Sequence, residues 1–279
     1  MSNIQTYIKT DAVQRRIKEV LGSKANQFVT SLIRIVNDNA LLQKASPESL
    51  LGAAMTAATL DLPINQNLGY AYIVPYKNEA QLQLGWKGFV QLALRSGQFL
   101  RINATDVRDG EIIERNRLTG EIKFNWLADN ERERAKIIGY VSYFRLLNGF
   151  ESTYFMSVDE IKAHAKKYSQ TYKKGYGVWV DNFEAMALKT VIKLNLSKNA
   201  ILSIEMQRAI ETDQAVISND RVVYVDNEPQ VDEAKKAIAA KLEEEMKAQA
   251  QQIKIEIPNQ TNNIYIDNPE TDNNEAGNE

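Results

Sequence analysis

The most basic part of the chain, residues 166–208, combines cations with aromatic rings. It holds eight basic and three acidic residues. The rings interleaved with its lysines are Tyr168, Tyr172, Tyr176 and Trp179. Cations bind phosphates and flat rings stack on bases, so together they suit a single-stranded nucleic acid, with stacking worth about 1–3 kcal/mol per base. A solvated loop whose rings tuck into the core fits the same composition, and both interpretations stay open.

Lys189 and Lys193 form a cationic stripe on a helix predicted from Phe183 to Leu196. Apolar residues occupy most other faces of that helix, so we expect it to be buried on most sides. The two ammonium groups repel each other, and no acidic residue one turn away relieves them. An external anion such as phosphate would explain the pair. The alternative is that both side chains extend along their stems to water.

A second basic and aromatic cluster lies between residues 75 and 101. Its members are Tyr76, Lys77, Trp86, Lys87, Arg95 and Arg101. Gly85 and Gly88 would let a ligand approach the backbone beside Lys87. The Gly-x-x-Gly spacing is a weak signal by itself, and Trp86 is equally suited to a core position.

Residues for covalent chemistry are sparse. There is no cysteine and a single histidine, His164, which excludes disulfides, thiolate zinc sites and multi-histidine metal sites. A cluster of acidic residues could bind Mg²⁺ in a carboxylate nuclease, although acids around a hairpin turn are usually just solvated. These residues are Asp106, Asp109, Glu111 and Glu114. The phosphate-loop motif of ATP-driven motors does not occur in the sequence.

Charge is distributed unevenly along the chain. Residues 226–279 contain 13 acidic and 5 basic residues, a net of −8, which leaves +6 for residues 1–225 and −2 in total. This asymmetry suggests a nucleic-acid surface joined to an acidic tail, although a neutral domain with a solvated tail fits as well. We predict a core over residues 1–220 and an acidic helix with a flexible tail over residues 221–279, the change falling near 218–230.

Hydrophobic periodicity predicts an α+β fold in which a small antiparallel sheet packs with helices. The N-terminal third reads as helices, one of them beginning at Ser46 as cap with Pro47 in the first position. Period-two patterns predict hairpins over residues 69–85 and 136–157, with further strands over 100–126. The first hairpin is predicted to turn through residues 77–80, Ser157 and Glu160 are predicted to form a capping box at a helix start, and residues 166–177 are predicted to be a loop. No apolar run is long enough to span a bilayer, and the N-terminus does not read as a signal peptide, so we expect a cytosolic protein.

Three stretches of the sequence together resemble the RecT family of phage recombination proteins, over roughly residues 28–215. They are LLQKASPESLLGAAMTAATLDLPI, LGYAYIVPYKNEAQLQLGWKGFVQLALRSGQF and GYGVWVDNFEAMALKTVIKLNLSKNAILS. In order and spacing they look like that family's helix, its Pro-Tyr-Lys hairpin with the following glycine turn, and its Trp…Met-Ala-x-Lys-Thr helix. Family members often carry a lysine at the position of Leu188, which leaves any role of that position in doubt.

The resemblance implies a function that the composition alone does not. It implies ATP-independent binding of single-stranded DNA and annealing of complementary strands in phage homologous recombination and DNA repair, without covalent chemistry. It implies no cofactor, with any effect of a divalent metal on DNA binding left open. It also implies a core similar to Rad-type annealing proteins and self-association into rings or helical filaments. The implied partners are a phage exonuclease and the host single-strand-binding protein, met through the C-terminal region in the bacterial cytoplasm, with no membrane.

The resemblance and the charge pattern together give a set of DNA-binding residues. Carried over by position, the resemblance implies phosphate contacts by Lys77, Lys87, Lys189 and Lys193, with Trp179 near the groove. Charge and position add Arg95, Lys173, Lys174, Tyr176, Lys198 and Arg208. The rival interpretations are a Mg²⁺-dependent carboxylate nuclease and a phage assembly protein that does not bind DNA.

Overall fold

The computed structural model describes residues 3–218 and 221–223 as an α+β fold. The helices are α1 (Asn3–Ile8), α2 (Asp11–Leu21), α3 (Ala25–Asn37), α4 (Pro47–Thr59), α5 (Trp86–Arg95), α6 (Asp129–Arg132), α7 (Val158–Tyr168), α8 (Gln170–Lys173), α9 (Val178–Asp181), α10 (Phe183–Asn199) and α11 (Ile204–Thr212). The strands are β1 (Ala71–Tyr76), β2 (Glu79–Leu84), β3 (Phe99–Arg108), β4 (Ile112–Arg115), β5 (Ile122–Phe124), β6 (Ile137–Leu146), β7 (Glu151–Ser157), β8 (Ala215–Ser218) and β9 (Arg221–Val223). No helix among these residues is both long enough and apolar enough to cross a bilayer.

The described strands form three antiparallel sheets, where the sequence predicted a single small one. β1, β2, β8 and β9 make the first sheet in that order, β3, β6 and β7 the second, and β4 with β5 the third. Strand β8 was not predicted, because four residues are too few to show a period and its partner β2 is far away in sequence. β9 pairs with β8 just beyond the predicted boundary at residue 220. The predicted acidic helix and tail lie outside the described residues.

The predicted helix starts are confirmed by their hydrogen bonds. The Ser46 hydroxyl accepts from the Ser49 N–H at 3.2 Å, and Pro47 occupies the first helical turn. Ser157 and Glu160 form a reciprocal capping box at the start of α7. Such caps satisfy amide groups that have no partner inside the helix, which explains why they mark helix starts so clearly.

Two connections differ from their prediction. The first hairpin turns through only two residues, Lys77 and Asn78, with Lys77 at a φ of 52°. The segment from Lys166 to Gly177, predicted as a loop, contains α8 and the end of α7. Neither segment carries a hydrophobic period, so its local conformation could not be predicted from one.

Helix α10 is buried on most sides, as expected, and packs against β6, β7 and α5. Ala187, Val191 and Leu196 have no exposed surface. Asn195 is equally buried, and its side chain accepts the Ser152 hydroxyl at 2.8 Å and donates to the Ser142 carbonyl at 3.2 Å. The helix is therefore fixed to the second sheet by apolar packing and by a satisfied buried amide.

Helix α4 lies directly on strand β8. A Cβ atom added at Gly52 would lie 2.2 Å from the carbonyl oxygen of Ile217, which is backbone and cannot rotate away. Only glycine permits this separation, so Gly52 sets the distance between the helix and the first sheet.

We expect Gly52→Ala to lower the free energy of unfolding by about 1–3 kcal/mol, because the added methyl group forces α4 away from β8. Equilibrium urea denaturation measures this change. Thr59→Ala places the same residue at an exposed position of the same helix and serves as control. Equal stability of the two variants would contradict the close approach.

Candidate functional site

Asp213 binds both lysines of the cationic stripe on α10. Its Oδ1 accepts from Lys189 Nζ at 2.8 Å, and its Oδ2 accepts from Lys193 Nζ at 2.7 Å. The Leu84 N–H also donates to Oδ1, at 2.9 Å. The Asp213 side chain is 0% exposed, against 6% for Lys189 and 25% for Lys193. This carboxylate, between α11 and β8, is the functional residue that sequence reasoning missed.

The structure corrects the argument that an external anion is needed to explain Lys189 and Lys193. Their repulsion is relieved by Asp213, which comes from a distant segment and therefore escapes any search along the helix. Lys189 is buried against Asp213, so its ammonium group does not face a strand in this conformation. Lys193 keeps part of its surface exposed. Two cations share one anion, which leaves an excess positive charge.

Burial and charge act against each other in this cluster. Burial alone would raise the pKa of Asp213, but the ammonium groups of Lys189 and Lys193 outweigh it and hold that pKa below its usual value. Burial lowers the pKa of Lys189, and Asp213 opposes this shift only in part. Asp213 is therefore an anion throughout the neutral range.

A cavity of about 220 Å³ opens beside the cluster. Lys189, Lys193 and Asp213 form one part of its lining, and the rings of His164, Tyr168 and Trp179 form another. The centroid of the His164 ring lies 4.6 Å from that of Tyr168 and 6.5 Å from that of Trp179. Charged and aromatic side chains thus line the same partly open cavity.

The predicted aromatic residues divide into buried and exposed members. Trp179 is buried, and its ring packs 6.1 Å from the half-buried Tyr172. Tyr168 and Tyr176 are exposed, and so are Lys173 and Lys174. The segment from α8 to α9 therefore presents cations and one ring to solvent next to the wall that Trp179 gives to the cavity.

Exposed lysines outside the cavity also lie over aromatic rings. The pairs are Lys77 with Tyr76 at 5.6 Å, Lys87 with Trp86 at 5.8 Å, Lys167 with Tyr168 at 5.2 Å and Lys198 with Tyr154 at 4.8 Å from ammonium nitrogen to ring centroid. These separations are within the range of a cation–π interaction. Lys87 lies in the first turn of α5, just after Leu84, whose amide binds Asp213, so it lies at the same end of β2 as the cluster.

Of the predicted DNA-binding residues, only Trp179, Lys189 and Lys193 line the cavity. Three of the others lie in different surroundings. Arg95 binds the end of α4, donating to the Leu60 carbonyl at 2.6 Å and pairing with Asp61 at 3.4 Å. Arg208 lines a separate groove between α2, α4 and α11. Lys77 lies at the opposite end of β2, roughly 20 Å away by strand length.

Two of the acidic residues considered for a nuclease, Asp106 and Glu111, are held by arginines. Asp106 pairs with Arg108 at 2.6 Å and with Arg132 at 2.9 Å. Glu111 is fully buried and pairs with Arg132 at 3.1 Å. Glu114 pairs with Lys123 at 2.8 Å, and Asp109 lies at the turn after β3. Over the residues that the structure describes, no cluster of acidic or histidine side chains is arranged to hold a metal, and nothing supports the nuclease alternative.

His164 is half-buried and contributes to the cavity wall. Burial lowers its pKa to about 4, and the positive charges of Lys193 and Lys167 act in the same direction. The imidazole is therefore neutral at physiological pH.

Removing Asp213 should be strongly destabilising. We expect Asp213→Ala to lower the free energy of unfolding by about 3–5 kcal/mol, because two ammonium groups are left without their counter-ion. Glu114→Ala breaks an exposed pair and should cost about 1 kcal/mol or less. Urea denaturation of both variants measures the contrast, and similar losses would show that Asp213 is not a structural anion.

His164 should make folding stability depend on pH. The pKa of His164 is depressed in the folded state. Between pH 6.5 and about 4 the imidazole is therefore protonated in the unfolded chain but neutral in the folded protein. Stability should be highest above pH 6.5 and fall as the pH drops through this window. His164→Gln should show a shallower fall in urea midpoints over the same range. Parallel curves for the two proteins would refute the assignment.

Comparison with known proteins identifies relatives of this chain. The profile of the RecT family matches residues 26–237. The chain is 44% identical over 246 residues to the uncharacterized protein YqaK of Bacillus subtilis (strain 168), covering 85% of this chain and 84% of that protein. It is 29% identical over 225 residues to Protein RecT of Escherichia coli (strain K12), covering 72% and 78%. The chain therefore belongs to the RecT family, whose members bind and anneal single-stranded DNA in recombination.

Proposed function

We propose that this chain binds single-stranded DNA on the exposed lysines and rings around the Asp213 cavity and anneals complementary strands without nucleotide hydrolysis. The observation that carries the proposal is the placement of exposed ammonium groups over rings, as in Lys87 with Trp86 and Lys167 with Tyr168. A strand offers phosphates to the cations and bases to the rings, so such pairs serve both parts of a nucleotide.

Annealing by such a surface needs no chemical energy. Subunits side by side form a continuous basic groove that holds one strand by its backbone and leaves base edges free to test an incoming strand. Matched pairs then drive the reaction through stacking, worth about 1.4 kcal/mol per step. Repetition of one interface generates a ring or a helical filament, depending on whether the rotation closes.

The setting that follows is phage homologous recombination and DNA repair in the bacterial cytoplasm. A phage exonuclease would supply the single strand, and the host single-strand-binding protein would meet the same chain, both through the region after residue 220. The core would be similar to Rad-type annealing proteins, and the reaction would use neither covalent chemistry nor a cofactor.

The test uses two complementary labelled oligonucleotides, with EDTA present and nucleotide absent. We expect the full chain to form duplex faster than the strands alone. No acceleration at low salt would overturn the proposal. Degradation of a labelled strand with Mg²⁺ would instead favour a nuclease, and the absence of any DNA affinity would favour an assembly protein.

Variants locate the groove in a binding titration with the same oligonucleotides. Lys173→Gln with Lys174→Gln should weaken binding of all sequences alike. It should also reduce the slope of log affinity against log salt by about 0.7 for each phosphate that the variant no longer neutralises. Lys18→Gln removes an exposed charge on α2, outside the proposed groove, and should leave the slope unchanged. Identical slopes for both variants would remove the α8–α9 segment from the groove.

A further inference from the structure

We propose that the cavity beside Asp213 holds one nucleotide of the bound strand in each subunit, with its phosphate at Lys193 and its base against the ring wall. The inference rests on the proposed function, since the strand is the ligand. It adds a defined subsite to what would otherwise be a continuous surface contact.

The charge of the cavity lining is the first reason to place a nucleotide there. The cavity lining carries Lys189 and Lys193 against the single anion Asp213, and Asp213 is fully buried. A phosphate would supply the second negative charge. Lys193 is the member that can meet it, because its side chain is 25% exposed while that of Lys189 is 6% exposed. Asp213 acts here as a positioning residue, since its Oδ2 holds the Lys193 ammonium at the cavity at 2.7 Å.

The shape of the cavity is the second reason. At about 220 Å³ it is smaller than the roughly 300–1,000 Å³ of sites for drug-sized ligands, so it suits one small planar group. Tyr168 is 38% exposed, while His164 and Trp179 continue the aromatic wall inward. Enzymes that extrude a base hold it between such rings.

Gln214 supplies a third feature. It lines the same cavity and adopts a φ of 68°, which is unusual for a residue other than glycine. Its N–H donates to the Leu82 carbonyl at 2.8 Å, which holds this conformation in place. A strained residue at a cavity indicates a functional constraint, and a side-chain amide can both donate to and accept from a base edge.

Holding one base out of the stack is compatible with annealing. Extruding a base costs least from a single strand, and stacking on protein rings offsets part of that cost. The remaining bases stay free to pair, and one sequestered base per subunit would fix the register of the strand along the assembly.

The experiment uses Trp179 as the reporter. The chain has three tryptophans, so Trp86→Phe with Trp126→Phe leaves only Trp179. This protein is titrated with an oligothymidylate and with an abasic chain of equal length and phosphate number. We expect the oligothymidylate to quench Trp179 emission and to bind at least about 5-fold more tightly, the ratio that corresponds to 1 kcal/mol of stacking. The abasic chain should leave the emission nearly unchanged.

Variants of Tyr168 test whether the aromatic wall of the cavity binds a base. Tyr168→Ala should bring the affinity for oligothymidylate towards that for the abasic chain, while Tyr168→Phe, which keeps the ring, should preserve the difference. Equal quenching by both ligands would overturn the base subsite, and so would tight DNA binding, measured by anisotropy, without any change in Trp179 emission. In both cases the proposed function stands. Failure of the unaltered chain to bind either ligand at low salt would overturn the proposed function instead.

Discussion

The buried carboxylate of Asp213 is the interaction on which the site depends. It joins three segments that are distant in sequence, binding α10 through Lys189 and Lys193 and the end of β2 through the Leu84 amide. A charge without partners in this environment would cost several kcal/mol, so the three segments must stay together. The first and second sheets are linked at this point, because β2 belongs to one and α10 packs on the other.

The cavity is a consequence of that link. Its charged lining comes from α10 and from the chain between α11 and β8, and its aromatic lining comes from α7 and α9. Trp179 is fixed by the rings of Tyr172 and Phe183. Packing therefore lines one cavity with both rings and cations, which suits a ligand that is anionic on one side and flat on the other.

Local patterns predicted most of the fold. The cap at Ser46, the capping box at Ser157 and the hairpin over residues 136–157 each depend on neighbours in sequence, and the structure confirms all three. Strand β8 and the division into three sheets were not predicted, because they depend on pairing between distant segments. Propensity carries little information about such pairing.

The same distinction applies to the site. Composition identified residues 166–208 as basic and aromatic, but it did not show that Trp179 is buried while Tyr176 is exposed. It could not show that Arg95 binds carbonyl and carboxylate oxygens at the end of α4. Asp213 was missed for a related reason, since an isolated acidic residue carries no signal until the fold brings the lysines to it.

The position of Asp213 late in the chain has a consequence for biosynthesis. During translation Leu84 is synthesised first, then Lys189 and Lys193, and only afterwards Asp213, whose carboxylate joins them. A domain generally folds as a unit during synthesis. The two ammonium groups of α10 therefore lack their counter-ion until residue 213 has left the exit tunnel. The fold is therefore completed late in synthesis, because Asp213 comes late in the sequence.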